Sequence, residues 1–472
     1  MNILRSLLLP AALLAFTVQA QVEEMTTAPE SSAAEPRHVI LIIGDGMDEH
    51  QVTIARNYLK GAQGQLLMDQ MPVRGASQIL TIEDKPGGRP MYVADSANTA
   101  TSMATGEITS RGRISTSAGD DRDLPTIVEL ASAAGYRTGI VSTASVTDAT
   151  PSAFAAHISF RLCENPELVE KVVYRDIPLG SCAQDLKLYG GPGSISEQLA
   201  ASGVDVILGG GSKHFAVKAE GSDNTVLEQA RANGFKVVTN AGELQAGADG
   251  QRLLGLFSES TMPVRLQGEG GRMAEQPEPS LLNHVHQYLG DVTLPETMVC
   301  EPNPEFAGMP TLKQMTDAAI AQLSADNDKG FFLMIESASI DKQSHERKPC
   351  GSIGEVEQLD EALASALAFA EKNPRTLILV TADHSQAAQL IPYVSLFEAY
   401  PIPTYTPGYV ALIETPEGSH MAVNYATTNF MMEEHTGAAV PLYSNSEGQG
   451  LVPPFVQQPQ LFGIMKDYLE LD

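Results

Sequence analysis

Eight short apolar runs dominate this chain, with helix-like stretches between most of them. They read HVILII (38–43), TGIVST (138–143), VDVILGG (204–210), FKVVT (235–239), RLLGLF (252–257), FFLMI (331–335), TLILVT (376–381) and YVALIE (409–414). Most are continuous rather than alternating, as expected for strands buried on both faces. The segment 354–373 instead repeats its apolar residues at helical spacing. Val356, Leu359, Leu363, Ala366, Leu367 and Ala370 share one face, and Pro374 and Arg375 end the helix before the next run. Strand–helix–strand alternation predicts an α/β fold, with a central mostly parallel sheet flanked by helices on both faces as a three-layer sandwich.

The first twenty residues do not belong to that pattern. Arg5, the apolar SLLLPAALLAF and the small-residue Val18-Gln19-Ala20 read as a cleaved signal peptide. The apolar core is about 11 residues, against the roughly 20 that span a bilayer, so it is not read as an anchor. Residues 21–36 are polar and read as a disordered lead-in. No linker divides the remainder, so residues 37–472 are expected to form one domain with surface loops at 83–90, 217–224, 240–251 and 266–280. The expected location is periplasmic or secreted.

The net charge of −28 argues against nucleic acid and anionic membranes as partners. An anionic substrate would need bound cations to invert the local field. Scarce lysine is compatible with adaptation to high salt and equally with an ordinary acidic exported protein. Four cysteines, Cys163, Cys182, Cys300 and Cys350, suggest two disulfides. Three pairings are possible; Cys163–Cys182 is the natural local one. No C-x-x-C supports a cysteine zinc site.

Two of the apolar runs lead into metal-ligand chemistry. Glu336, Asp341 and His345 follow the first, Asp383 and His384 the second. Carboxylate and imidazole suit divalent metals, and the carboxyl ends of parallel strands are where such sites collect. Asp341 and His345 share a face if that turn is helical, with Lys342 beside them. Gly44-Asp45-Gly46-Met47 closes the first strand, and Asp45 is either a strand-end ligand or a helix N-cap. Glu49 occupies the place of the third glycine of a dinucleotide fingerprint. Ser96, after Asp95, opens a small-residue helix where free N–H groups favour an anion. Thr147-Asp148-Ala149-Thr150-Pro151 follows another strand, with Arg161 beyond it beside Cys163. His435 lies in Glu-Glu-His-Thr-Gly. His157 is read as support for the 147–151 helix, and His284 and His286 as surface residues in extended chain.

Taken in order, GDGM at 44, DSA at 95, TDATP at 147 with Arg161 and Cys163, ESASIDKQSH at 336, TADHS at 381 and EHTG at 434 closely resemble the alkaline phosphatase family, from about Val39 to His435. The resemblance implies two zinc ions and one magnesium per subunit. It makes Ser96 the nucleophile that becomes a phosphoserine, and Asp341, His345 and His435 the ligands of one zinc. Asp45, Asp383 and His384 would hold the second, which Ser96 approaches. Asp45, Thr150 and Glu336 would hold magnesium, with Asp148 on its waters. Arg161 would clamp phosphate, oriented by Asp95, and Lys342 would reach it through water. The resemblance also implies the pairs Cys163–Cys182 and Cys300–Cys350, small phosphate monoesters as substrates, and a homodimer. Rival readings are a related sulfatase, phosphodiesterase or phosphonate hydrolase, or a non-catalytic metal- or phosphate-binding protein. The C/S-x-P-x-R run of a sulfatase is absent after Ser96, and pure binding needs no nucleophile.

Overall fold

A computed structural model describes residues 35–472 except 175, 249, 287, 288, 291 and 395–406. The expected signal peptide and nearly all of the lead-in lie outside the described residues. Pro36–Asp472 is one compact unit.

Ten strands form the central sheet: β1 (Arg37–Gly44), β2 (Val73–Gln78), β3 (Arg137–Ser145), β4 (Val206–Gly210), β5 (Phe235–Val238), β6 (Arg252–Leu256), β7 (Gly330–Ser337), β8 (Thr376–Ala382), β12 (Val440–Ser444) and β13 (Phe455–Gln457). Their spatial order is β13-β2-β12-β8-β1-β7-β3-β4-β6-β5. β12 runs antiparallel to both its neighbours, and every other pairing is parallel. Three further strands, β9 (Gln389–Ile391), β10 (Tyr409–Glu414) and β11 (His420–Tyr425), make a separate antiparallel sheet. The run at 409–414 is thus a strand, but it pairs outside the main sheet.

Alternation along β1 sends side chains to two cores. Ile40 and Ile42 join one with helices α1 (Glu49–Lys60), α5 (Leu312–Ser324) and α7 (Pro349–Ala370). Val39, Leu41 and Ile43 join the other with α2 (Ser96–Thr105), α3 (Ile127–Ala133) and α8 (Pro459–Tyr468). The three-layer sandwich follows from sheet faces that are apolar on both sides. Two short helices complete the frame, α4 (Ala149–Ser152) and α6 (Ser339–His345).

Register, more than composition, positions what comes next. Gly44 of β1 stands opposite Ser337 of β7 and Ala382 of β8. Three strands therefore end at one level, and the residues at their ends emerge side by side.

Two expected loops hold regular structure. Residues 240–251 contain a helix at Ala241–Gln245, and 266–280 contain strands at Leu266–Gly268 and Glu278–Pro279. His284 lies in a short helix, Leu281–Val285, rather than in extended chain; it and His286 are exposed. Both disulfides, Cys163–Cys182 and Cys300–Cys350, are formed as expected.

Candidate active site

Asp45 leaves β1 directly, and its N–H donates to the Ser337 carbonyl at 3.1 Å. The turn is tight because Gly46 takes φ 68°, and a Cβ there would stand 2.8 Å from Gln386. Its N–H donates to Asp383 Oδ1 at 3.0 Å, tying the exits of β1 and β8 together. Asp45 is not the cap of α1. Asp48 is, accepting from the N–H groups of His50 and Gln51. Asp45 is thereby left to face Ser96 and His384.

Ser96 is the first residue of α2, whose ten residues are all buried. Asp95 caps the helix through a capping box with Asn98. Ser96 Oγ lies 3.1 Å from His384 Nε2 and 3.5 Å from Asp45 Oδ1. His384 Nε2 is 3.3 Å from Asp45 and 3.4 Å from Asp383 Oδ2. The rings of His384 and His435 stack at 3.7 Å. His345 Nε2 and His435 Nε2 approach to 3.0 Å, each 3.3 Å from a carboxylate oxygen of Asp341. α6 is what brings Asp341 and His345 onto one face.

The histidines share one arrangement. His345 Nδ1 donates to the Glu433 carbonyl, His435 Nδ1 to that of Ala94, and His384 Nδ1 faces that of Ser385. A proton committed at Nδ1 leaves the Nε2 lone pair pointing into the cluster. Two such lone pairs at 3.0 Å repel unless a proton or a metal ion lies between them.

The carboxylates tell the same story. Burial, then the charges of Asp383, Asp341 and Glu336, pushes Asp45 well up. Burial raises Glu336 to about 8 and Asp383 to about 6. Asp341 goes the other way: burial would raise it, but His345 and His435 hold it well down. His345 rises to about 9 because Asp341 outweighs burial. Asp383 Oδ2 and Thr150 Oγ1 are buried without a hydrogen-bond partner. Asp341, His384 and His435 form one group with ligand atoms within 4.8 Å of each other; Asp45, Asp383 and His384 form another. His384 belongs to both. Crowded carboxylates, inward imidazole lone pairs and orphaned oxygens fit divalent cations. Glu336 sits at the same level, accepting from Ser142 Oγ, and α4, which carries Thr150, packs against β7.

Arg161 lies in the loop after α4. One guanidinium nitrogen donates to Asp148 Oδ1 at 2.9 Å, and another reaches Asp95 Oδ2 at 3.4 Å. Lys342 Nζ donates to the second oxygen of Asp148. Burial would raise Asp148, but Lys342 and Arg161 hold it far below the usual range. Asp148 also caps α4. The Cys163–Cys182 disulfide begins two residues past Arg161.

A family profile for alkaline phosphatase matches residues 36–469. Streptomycin-6-phosphate phosphatase of Streptomyces griseus is 38% identical, over 94% of this chain and 93% of that protein. Alkaline phosphatase of Escherichia coli K12 is 39% identical, over 92% and 86%. The chain belongs to the alkaline phosphatase family. Its activity is that of a phosphomonoesterase, in a family that uses metal ions. In fold it also matches alkaline phosphatase of Thermus thermophilus, with TM-score 0.66 at 20% identity over 93% of each chain.

Within this alkaline phosphatase frame several supporting residues escape a linear reading. Gln386 Nε2 donates to Asp341 Oδ1, next to the motif at 381 but with no pattern of its own. Asp48 also accepts from Ser385 Oγ and the Gln386 N–H. Its place before Glu49-His50 is an N-cap signal that could have been read. His157 reaches the end of α4 through Ser115, whose Oγ donates to the carbonyl of the C-cap Ala153. It donates across to the Ser115 carbonyl and the Glu129 carboxylate.

Proposed function

We propose that the chain is an exported alkaline phosphatase working through a covalent phosphoserine at Ser96. One observation carries this reading: Ser96 Oγ, at the positive end of α2, lies within 3.5 Å of both Asp45 and His384, with Asp95 linking that helix start to Arg161.

The proposed ligand sets are Asp341, His345 and His435 for one zinc, Asp45, Asp383 and His384 for a second, and Asp45, Thr150 and Glu336 with Asp148 for magnesium. When bound, such cations lower the proton affinity of the serine hydroxyl and neutralise charge on the phosphoryl oxygens. The chain's own groups do the rest. The free N–H groups of α2 and the guanidinium of Arg161 receive the phosphate dianion. Asp95 and Asp148 hold that guanidinium from behind. Ser96 then attacks phosphorus, forming the serine ester as the P–O bond to the leaving alcohol breaks. Water cleaves the ester and returns Ser96. Lys342, paired with Asp148, sets the local positive charge and reaches phosphate through water.

Substrates are small phosphate monoesters, since Arg161 suits a terminal dianion. The same reading makes residues 1–20 a signal peptide and 21–36 its lead-in. Residues 37–472 form the catalytic domain, acting as a homodimer in the periplasm or medium. No helix among the described residues is long and apolar enough to cross a membrane.

Metal analysis paired with hydrolysis of an aryl phosphate monoester, an aryl diester and an aryl sulfate tests it. Zinc and magnesium should be found, and the monoester rate should dominate. Ser96→Ala should retain metals and fold while losing more than ~1,000-fold in turnover, roughly 4 kcal/mol of barrier. A dominant diester or sulfate rate, or an active Ser96→Ala, would sink the proposal.

A further inference from the structure

Behind the histidines lies a buried charge pair. Arg347 Nε donates to Glu433 Oε1 at 2.7 Å, with side-chain exposures of 4% and 0%. Arg347 is two residues after His345, and Glu433 two before His435. The pair thus joins the two segments that deliver these histidines.

Each partner is held from several directions. The second arm of the Arg347 guanidinium donates to the Phe430 carbonyl at 2.7 Å, and its plane lies 3.8 Å from the centre of the Tyr409 ring. Arg347 takes φ 61°, a left-handed backbone that is unfavourable outside glycine and so needs its surroundings to hold it. The other oxygen of Glu433 accepts from the Thr427 N–H at 2.9 Å, the Thr427 hydroxyl at 2.6 Å and the Thr428 N–H at 3.3 Å. The backbone of Glu433 closes the circle. Its N–H donates to the His345 carbonyl at 3.1 Å, and its carbonyl accepts from His345 Nδ1.

Stability is a weak reason for such a pair, because well-packed apolar residues usually do as well or better. Geometry is a stronger one. Turning the Glu433 carbonyl away would free the His345 tautomer and rotate its ring, and His435 rides on the same loop.

We infer that Arg347 and Glu433 are positioning residues that aim the Nε2 atoms of His345 and His435 at one cation and so set the affinity of that site. The inference rests on the ligand assignment proposed above. Partners behind metal-binding histidines commonly change metal affinity by 10–100-fold when replaced. The effect should be confined to one of the two zinc sites, because His384 and Asp383 are fixed from β8 and Gly46 instead.

The test uses the full-length zinc-loaded enzyme. Glu433→Ala alone leaves a buried guanidinium unpaired and is expected to unfold readily. Arg347→Met with Glu433→Gln removes the charges together and keeps the volume. Zinc is then titrated against a chelator, and thermal unfolding is followed with and without zinc. The double variant should melt like the wild type when metal-free, while one zinc equivalent weakens at least 10-fold and the other stays unchanged. Equal retention of both equivalents, or a parallel weakening of both together with a lower metal-free melting point, overturns the inference. A wild-type protein that binds no zinc would instead overturn the ligand assignment.

Discussion

The two rims of the site, one carrying the proposed metal ligands and one carrying Arg161, are built differently. The proposed metal half hangs largely on the strand ends: Asp45, Glu336 and Asp383 emerge at one level because β1, β7 and β8 share a register, while Asp341 and His345 come from α6 and His435 from a loop braced by Arg347 and Glu433. Its histidines are backed by carbonyls, and Asp45, Asp383 and His384 are 0–4% exposed. The proposed phosphate half hangs on a loop. Arg161 is 21% exposed and is placed by Asp95, Asp148 and a disulfide rather than by the sheet. Ligands must hold a fixed geometry within fractions of an ångström, which rigid elements supply. A substrate clamp must admit and release its anion, which suits a tethered loop.

The sharpest way to break that comparison is Arg161→Ala. Loss of a preorganised guanidinium should lower kcat/KM on the order of 100-fold. Zinc content should not change, because none of the proposed zinc ligands bonds to Arg161; its partners are Asp95 and Asp148. Joint measurement of kcat/KM and bound zinc decides. Metal lost along with activity would mean the two rims are one coupled unit.

The tether gives a smaller effect. Replacing both Cys163 and Cys182 by alanine removes a link across 19 residues, at a cost of about 3 kcal/mol. If the disulfide serves the phosphate half, KM for the monoester should rise several-fold while zinc binding holds. Urea unfolding and steady-state kinetics together check it. An unchanged KM with lowered stability would reduce the disulfide to general bracing.

The contrast between the rims also explains what could be read from the chain. Continuous apolar runs exposed the strands that carry Asp45, Glu336 and Asp383 at their ends, since burial on both faces leaves a local mark. The strand order did not show, because β1 pairs with β7 nearly 300 residues away and local pattern is blind to that. Tyr409–Glu414 has the composition of a core strand, yet it pairs with His420–Tyr425 elsewhere; tertiary neighbours, not propensity, decide. Asp45 alone reads as either a strand-end ligand or a cap, and only the backbone geometry gives the cap to Asp48 instead. Ser96, Asp148 and His435 are individually ordinary and became legible only as an ordered set of motifs. Arg347 and Glu433 left no signal, being ordinary charged residues 86 positions apart.

The phosphate half holds one more group, and it should give the smallest effect. Glu164 accepts from the hydroxyl of Thr147, next to Asp148, and lies 3.1 Å from His214 Nε2. Burial, reinforced by the charge of Asp148, raises Glu164 to about 7, and burial lowers His214 to about 4. Burial thus works against charge on both partners of the contact. A raised acid pKa stabilises the fold fully below the unfolded value near 4.5, and that contribution is lost as pH rises through about 7. Ionisation also adds negative charge behind Asp148 and Arg161, so affinity for inorganic phosphate should fall across the same interval. Glu164→Gln keeps an acceptor for Thr147 but cannot ionise. Competitive inhibition by phosphate between pH 6 and 9 should show wild-type affinity dropping a few-fold relative to the variant, a ratio in which phosphate's own titration cancels. A flat ratio would mean that Glu164 is screened from the clamp. Charge on the loop would then be set by Asp95, Asp148 and Lys342 alone.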